Sequence, residues 1–142
     1  MTKKLTAIIL SLLIMLSCSA AYADASLDAQ ADKAQVSAGD TVTVTITLKG
    51  DKLAAAEGSF AYDTSLLSFE EAEGGAGDGY ISMVSLSKGG ESSLSARITF
   101  KALAEGNAEV AFSITKILNY SGKELGAAEQ KASVTILPGP EP

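Results

Sequence analysis

Four carboxylates, Glu70, Glu71, Glu73 and Asp78, crowd a glycine-rich stretch from Gly74 to Gly79. Oxygen donors on such a loop suit calcium, but their spacing fits no EF-hand loop. Sugar hydrolysis would need two of them set across a cleft, normally with aromatic walls, and neither arrangement is indicated. The cluster reads as a solvated acidic loop. The chain has no His, which excludes Ser-His-Asp and Cys-His nucleophiles, His-ligated metals and imidazole base catalysis. Its single Cys excludes an intrachain disulfide and a thiolate zinc site. No catalytic residue, no metal and no cofactor is expected, and an enzyme ranks last among the functions considered.

The elements that would position a binding site come next. Lys3 and Lys4 precede an apolar run from Leu5 to Leu16, and Ala21-Tyr22-Ala23 supplies a small-residue cleavage site. This pattern assigns residues 1–23 to a secretory signal peptide. The run falls short of the roughly 20 residues needed to span a bilayer. Lipidation at Cys18 is the alternative processing, for which Met15-Leu16-Ser17 is a poor match. The expected location is extracellular or at the cell surface. Cleavage after Ala23 removes two of the 11 basic side chains and none of the 17 acidic ones, moving the net charge from −6 to −8. Such a chain is a poor ligand for nucleic acid or anionic lipid, both of which demand a basic patch.

From Ser26 to Leu137 the hydropathy pattern has a period of two. Val42, Val44, Ile46 and Leu48 alternate with threonines; Leu94, Ala96, Ile98 and Phe100 alternate with Ser95, Arg97 and Thr99; Val110, Phe112 and Ile114 follow the same rule. Weaker runs lie at Leu27 to Ala31, Leu53 to Tyr62, Tyr80 to Leu86 and Ala132 to Leu137. One apolar face and one hydroxyl face are what a half-buried strand requires. Turn signals separate the runs at Gly39-Asp40, Gly50-Asp51, Gly74 to Gly79, Gly89-Gly90, Gly106-Asn107 and Ser121-Gly122. The class is all-β, a two-sheet antiparallel sandwich over residues 24–137. Thr64 to Glu73 admits a turn of helix or a short strand, and Lys123 to Lys131 has helical composition. Residues 138–142, with alternating prolines, stop the last strand and read as a tail or linker start.

Phe60-Ala61-Tyr62-Asp63-Thr64-Ser65-Leu66-Leu67 resembles a motif of the cohesin modules of bacterial cellulosome scaffoldins. Gly39-Asp40 before Val42-Thr43-Val44, Ile98 to Lys101 before Glu105-Gly106-Asn107, and Val134-Thr135-Ile136 fall in the same order as in that family. Two departures stand out: Thr64 where Pro is usual, and a short segment between Leu67 and Ile81. The resemblance implies a jelly-roll topology of about eight to nine strands. It also implies a non-catalytic adaptor whose partner is a dockerin, a small calcium-binding module borne by an exported protein. A carbohydrate-binding module of the same shape, or a structural domain of a cell-surface protein, is the alternative.

The same resemblance points to one strand face for contact. Ala55, Glu57, Ser59 and Ala61 share the outward side of their strand, and a Glu57 carboxylate accepts hydrogen bonds from a partner Ser, Lys or Arg. The strand after Gly79 has two registers. In one, Val84 and Leu86 face the core while Ile81 and Met83 form an exposed apolar patch beside Glu57; in the other the faces exchange. Ser87, Lys88 and Arg97 are candidate rim contacts. Tyr62-Asp63 reads as structural, with the Asp shaping a turn. Tyr80 and Tyr120 are the aromatics free to stack on sugar, and no Trp is present to help them. Asn119-Tyr120-Ser121 fits an N-glycosylation triplet, relevant only in a host that glycosylates exported chains.

Overall fold

A computed structural model describes residues 25–139. The signal-peptide assignment and most of the tail lie outside these residues. Nine strands account for nearly all the regular structure: β1 (Ala25–Ala31), β2 (Gln35–Ser37), β3 (Thr41–Tyr62), β4 (Leu67–Glu73), β5 (Ala76–Gly77), β6 (Tyr80–Val84), β7 (Glu91–Ala102), β8 (Gly106–Asn119) and β9 (Ala128–Leu137). The two helical alternatives give way to local chemistry. Asp63 closes a turn that delivers the chain into β4, with Leu66 and Leu67 donating to its carbonyl at 3.1 and 3.0 Å. Gly126, at φ 89°, interrupts the Lys123 to Lys131 run just before β9.

The strands form a two-layer jelly roll. The first half of β3 lies between β1 and β7, with β4 on the far side of β7. Its second half lies between β6 and β8, extended by β5 on one flank and by β9 and β2 on the other. One 22-residue strand therefore belongs to both layers. The expected turn at Gly50-Asp51 does not separate two strands. Instead the chain bulges between Lys49 and Leu53, and Lys52 takes a left-handed φ of 51°. A bulge bends and twists a strand without ending it, which lets β3 leave one sheet and enter the other.

Alternation set in the sequence is what fills the space between the layers. Val42, Val44, Ile46 and Leu48 are buried in one core cluster with Phe60, Phe112 and Ile114 of the other sheet. Phe100 from the first layer meets Phe60 edge-on at 6.0 Å and Tyr62 at 4.9 Å, and Phe60 packs on Phe112 at 5.6 Å. Such ring pairs add about 0.5–1.5 kcal/mol each beyond their burial. Among the described residues, no buried polar side-chain atom lacks a partner.

The Gly39-Asp40 motif is part of this closure. Gly39, at φ 99°, donates to the Ala102 carbonyl, Ala102 donates back to Asp40, and the Asp40 carboxylate caps the Ser37 amide at 3.2 Å.

Candidate functional site

The outward face of the second layer is built from the strand order β5-β6-β3-β8-β9. Pairing sets its rows. Val84, Ala55 and Leu118 lie side by side across β6, β3 and β8; Ser82, Glu57 and Lys116 form the next row. Tyr80, Ser59, Ser113 and Glu129 follow, and then Ala61, Ala111 and Lys131. Small side chains in the middle of the last two rows leave a shallow concavity of about 270 Å³, bordered by Glu129, Gln130 and Lys131. The face is thus apolar at one end, charged in its second row and indented beyond it.

Glu57 is exposed in this face, as the period of the strand required. Its own carbonyl accepts a bond from Thr115 Oγ1 at 3.3 Å. The Glu57 carboxylate has no ion-pair partner: the one salt bridge among the described residues joins Arg97 to Glu73, at 3.1 Å. Next to it, Gly58 sits so close to β8 that a Cβ there would run into the Ser113 carbonyl. The register slips at this point, and Thr115 is the unmatched residue on β8. Ala55 and Ser59 share the Glu57 side, Ala55 half-buried and Ser59 exposed.

The other proposed contacts fare differently. Ile81 and Met83 are core residues, 2% and 1% exposed, so the register that put them outward is corrected. Their strand presents Tyr80, Ser82 and Val84 instead, because Ile81 and Met83 belong to the single buried core cluster between the layers. Arg97 is also corrected as a rim contact. Its cross-strand neighbours are Thr45 and Glu73 in the first layer, and its guanidinium pairs with the Glu73 carboxylate at 3.1 Å. Ser87 and Lys88 lie in the loop after β6, at the apolar end of the face, where Lys88 is exposed.

Two titrating groups near the sheet end have shifted equilibria. Burial, then the Asp78 carboxylate that accepts its hydroxyl at 2.9 Å, pushes the Tyr62 phenol above its ordinary value. Asp63 is held below the usual carboxylate range by bonds from the Ser65 hydroxyl and amide. Both are structural. The acidic loop forms no cluster able to hold a metal among the described residues. Asn119 is buried, and its side-chain oxygen accepts from the Ser121 and Lys123 amides at 3.0 and 2.9 Å, so the glycosylation triplet holds a turn.

Sequence reasoning missed Lys116, Glu129 and Lys131 as members of the face. A signal for Lys116 existed: Ile114 and Ile117 are both apolar with the polar pair Thr115-Lys116 between them, which breaks a period of two and marks a bulge.

No family model matches the sequence, and no curated protein does. Solved structures do match. The sixth cohesin of scaffoldin B from Acetivibrio cellulolyticus, solved in complex with a dockerin, is similar at TM-score 0.62 and 18% identity over 79% of this chain and 99% of that one. A cohesin module of a family 33 glycoside hydrolase from Clostridium perfringens gives 0.65 at 13% identity, covering 81% and 98%. A type I cohesin from Clostridium thermocellum, also in a dockerin complex, gives 0.60 at 14% identity, covering 79% and 99%. The rows of alternating residues that the sequence lays out thus close into the cohesin fold.

Proposed function

We propose that this chain is an exported, non-catalytic adaptor module that binds a dockerin through the β5-β6-β3-β8-β9 face. The observation that carries the reading is this broad sheet face, apolar at one end and indented beyond its charged second row, on a fold shared with cohesins solved in dockerin complexes. An apolar patch beside polar and charged groups is the ordinary anatomy of a protein interface. Glu57, without an intramolecular ion-pair partner, is the anchor for a basic or hydroxyl group of the partner. Ser59, Ala61, Ala111 and Ser113 allow close approach of the partner backbone.

Pull-down with calcium-loaded dockerins tests the reading. The wild-type chain is expected to retain at least one, and Glu57→Arg to weaken that complex at least tenfold by setting like charges together. A folded wild-type chain that retains no dockerin from its own source would overturn it.

Direct polysaccharide binding is less well supported. Tyr80, on β6, packs over Gly77 of β5, whereas Tyr120 lies beyond β8 beside Lys52, so the two tyrosines are not neighbours in one stacking row.

A further inference from the structure

Six large hydrophobic side chains are exposed on the described surface, and four of them, Tyr80, Val84, Leu86 and Tyr120, lie on this face or at its apolar end. Leu86 is the extreme case at 97% exposed, with Val84 at 62% and Tyr120 at 48%. A leucine so exposed contributes almost nothing to the core, yet the loop that carries it is held. Ser85 is buried, and its amide donates to the Ala54 carbonyl at 2.8 Å. The Ser87 amide donates to Ser85 Oγ at 3.2 Å, and Gly90 donates to the Ser87 carbonyl at 3.2 Å. Gly90 in turn abuts the Lys52 backbone so tightly that no side chain fits there. Tyr120 is tied to the same place, its amide donating to the Lys52 carbonyl at 2.9 Å.

The charge around this pole departs from the rest of the molecule. The whole chain is net −6, but here Lys49, Lys52, Lys88, Lys116 and Lys123 still outnumber Asp51, Glu57, Glu91 and Glu124. A projecting apolar side chain on a held loop loses little freedom on binding, which is the condition for an energetic anchor. We propose that Leu86 is such an anchor, filling an apolar socket on the partner protein whose rim carries carboxylates facing Lys52 and Lys88. The proposal rests on the docking reading above and specifies its partner: the partner offers a socket, and this chain offers the plug.

The test is titration calorimetry of a calcium-loaded dockerin retained by the wild-type chain, repeated with Leu86→Ala and with the double variant Lys52→Glu, Lys88→Glu. Leu86→Ala is expected to weaken binding about 10–30-fold with an unchanged melting temperature, since the side chain is outside the core. The double charge reversal is expected to weaken binding and to reduce its salt dependence. If the wild type binds while Leu86→Ala stays within about twofold, the anchor is overturned and the docking reading stands. Tighter binding by the double variant overturns the acidic rim. If a folded wild type binds no dockerin, the docking reading fails and the anchor falls with it. Co-sedimentation with phosphatidylglycerol vesicles, lost in Leu86→Ala, would reassign the loop to a membrane surface and overturn the socket.

Discussion

Asp63 spends its carboxylate on its own turn, and this has a sign. Its folded equilibrium lies below the ordinary value of 3.8. The bonds from Ser65 therefore stabilise the fold fully above that value and are lost as pH falls through the lower, folded one. Asp63→Asn cannot titrate, so between about pH 5 and pH 2 its urea midpoint should fall less steeply than that of the wild type. Tyr62 behaves in the opposite sense. Its phenol is raised above 10.0, so its contribution is complete below pH 10.0 and is lost as pH climbs through the folded value. Tyr62→Phe removes the bond to Asp78 and should lower stability by about 0.5–1.5 kcal/mol near neutrality, read from equilibrium urea unfolding. At this scale the sequence was informative where a side chain acts on its neighbours in the chain. Asp63 two residues before Ser65 announces its turn, and Glu57 follows from the period of its strand. Ile81 and Met83 could not be placed that way, because Val84 and Leu86 are equally apolar and only the packing of the opposite sheet chooses between the two faces.

Among the elements, β3 shows both what periodicity reveals and what it conceals. Its two halves were legible as strands from Val42 to Leu48 and from Leu53 to Tyr62. That they are one strand was not, since Gly50-Asp51 carries the ordinary signature of a turn and only pairing with β7 and β8 keeps the segment extended. Lys52 at φ 51° marks the bend. A β-branched residue there should be worse than Lys by about 1–2 kcal/mol, whereas Lys52→Gly should be close to neutral, relief of strain being offset by a floppier unfolded chain. Thermal melts of Lys52→Val and Lys52→Gly check this pair. Gly58 is a separate case, where the constraint is space rather than φ. Gly58→Ala must push β3 away from the Ser113 carbonyl, and a loss of about 1–3 kcal/mol is expected by the same melts, the range for overpacking. It should also disturb the face, because Glu57 and Thr115 sit on either side of the slip in register.

For the whole molecule, the shared strand couples the layers. Far-ultraviolet circular dichroism and tyrosine fluorescence should report one coincident urea transition, because neither sheet keeps its central strand if the other opens. Phe112→Ala, which strips a fully buried ring from beside Phe60, should lower stability by about 3–5 kcal/mol in that assay. The fold class could be read from alternation alone, and the order of short motifs pointed to the cohesin shape. The docking face needed the structure, because it joins residues from five strands that pair across separations no local pattern encodes.

The chain also places its two described ends at opposite poles. Ala25 pairs with Gly50 beside the bend in β3, whereas Leu137 pairs with Ser37 beside the Gly39 turn. Tension applied between these points runs along β1 and β9 instead of peeling them away from an edge. All seven rungs that hold β1 to β3 must then rupture almost together. Stretched between a tether and a bound load, the domain would resist as a lap joint does, yielding abruptly at high force.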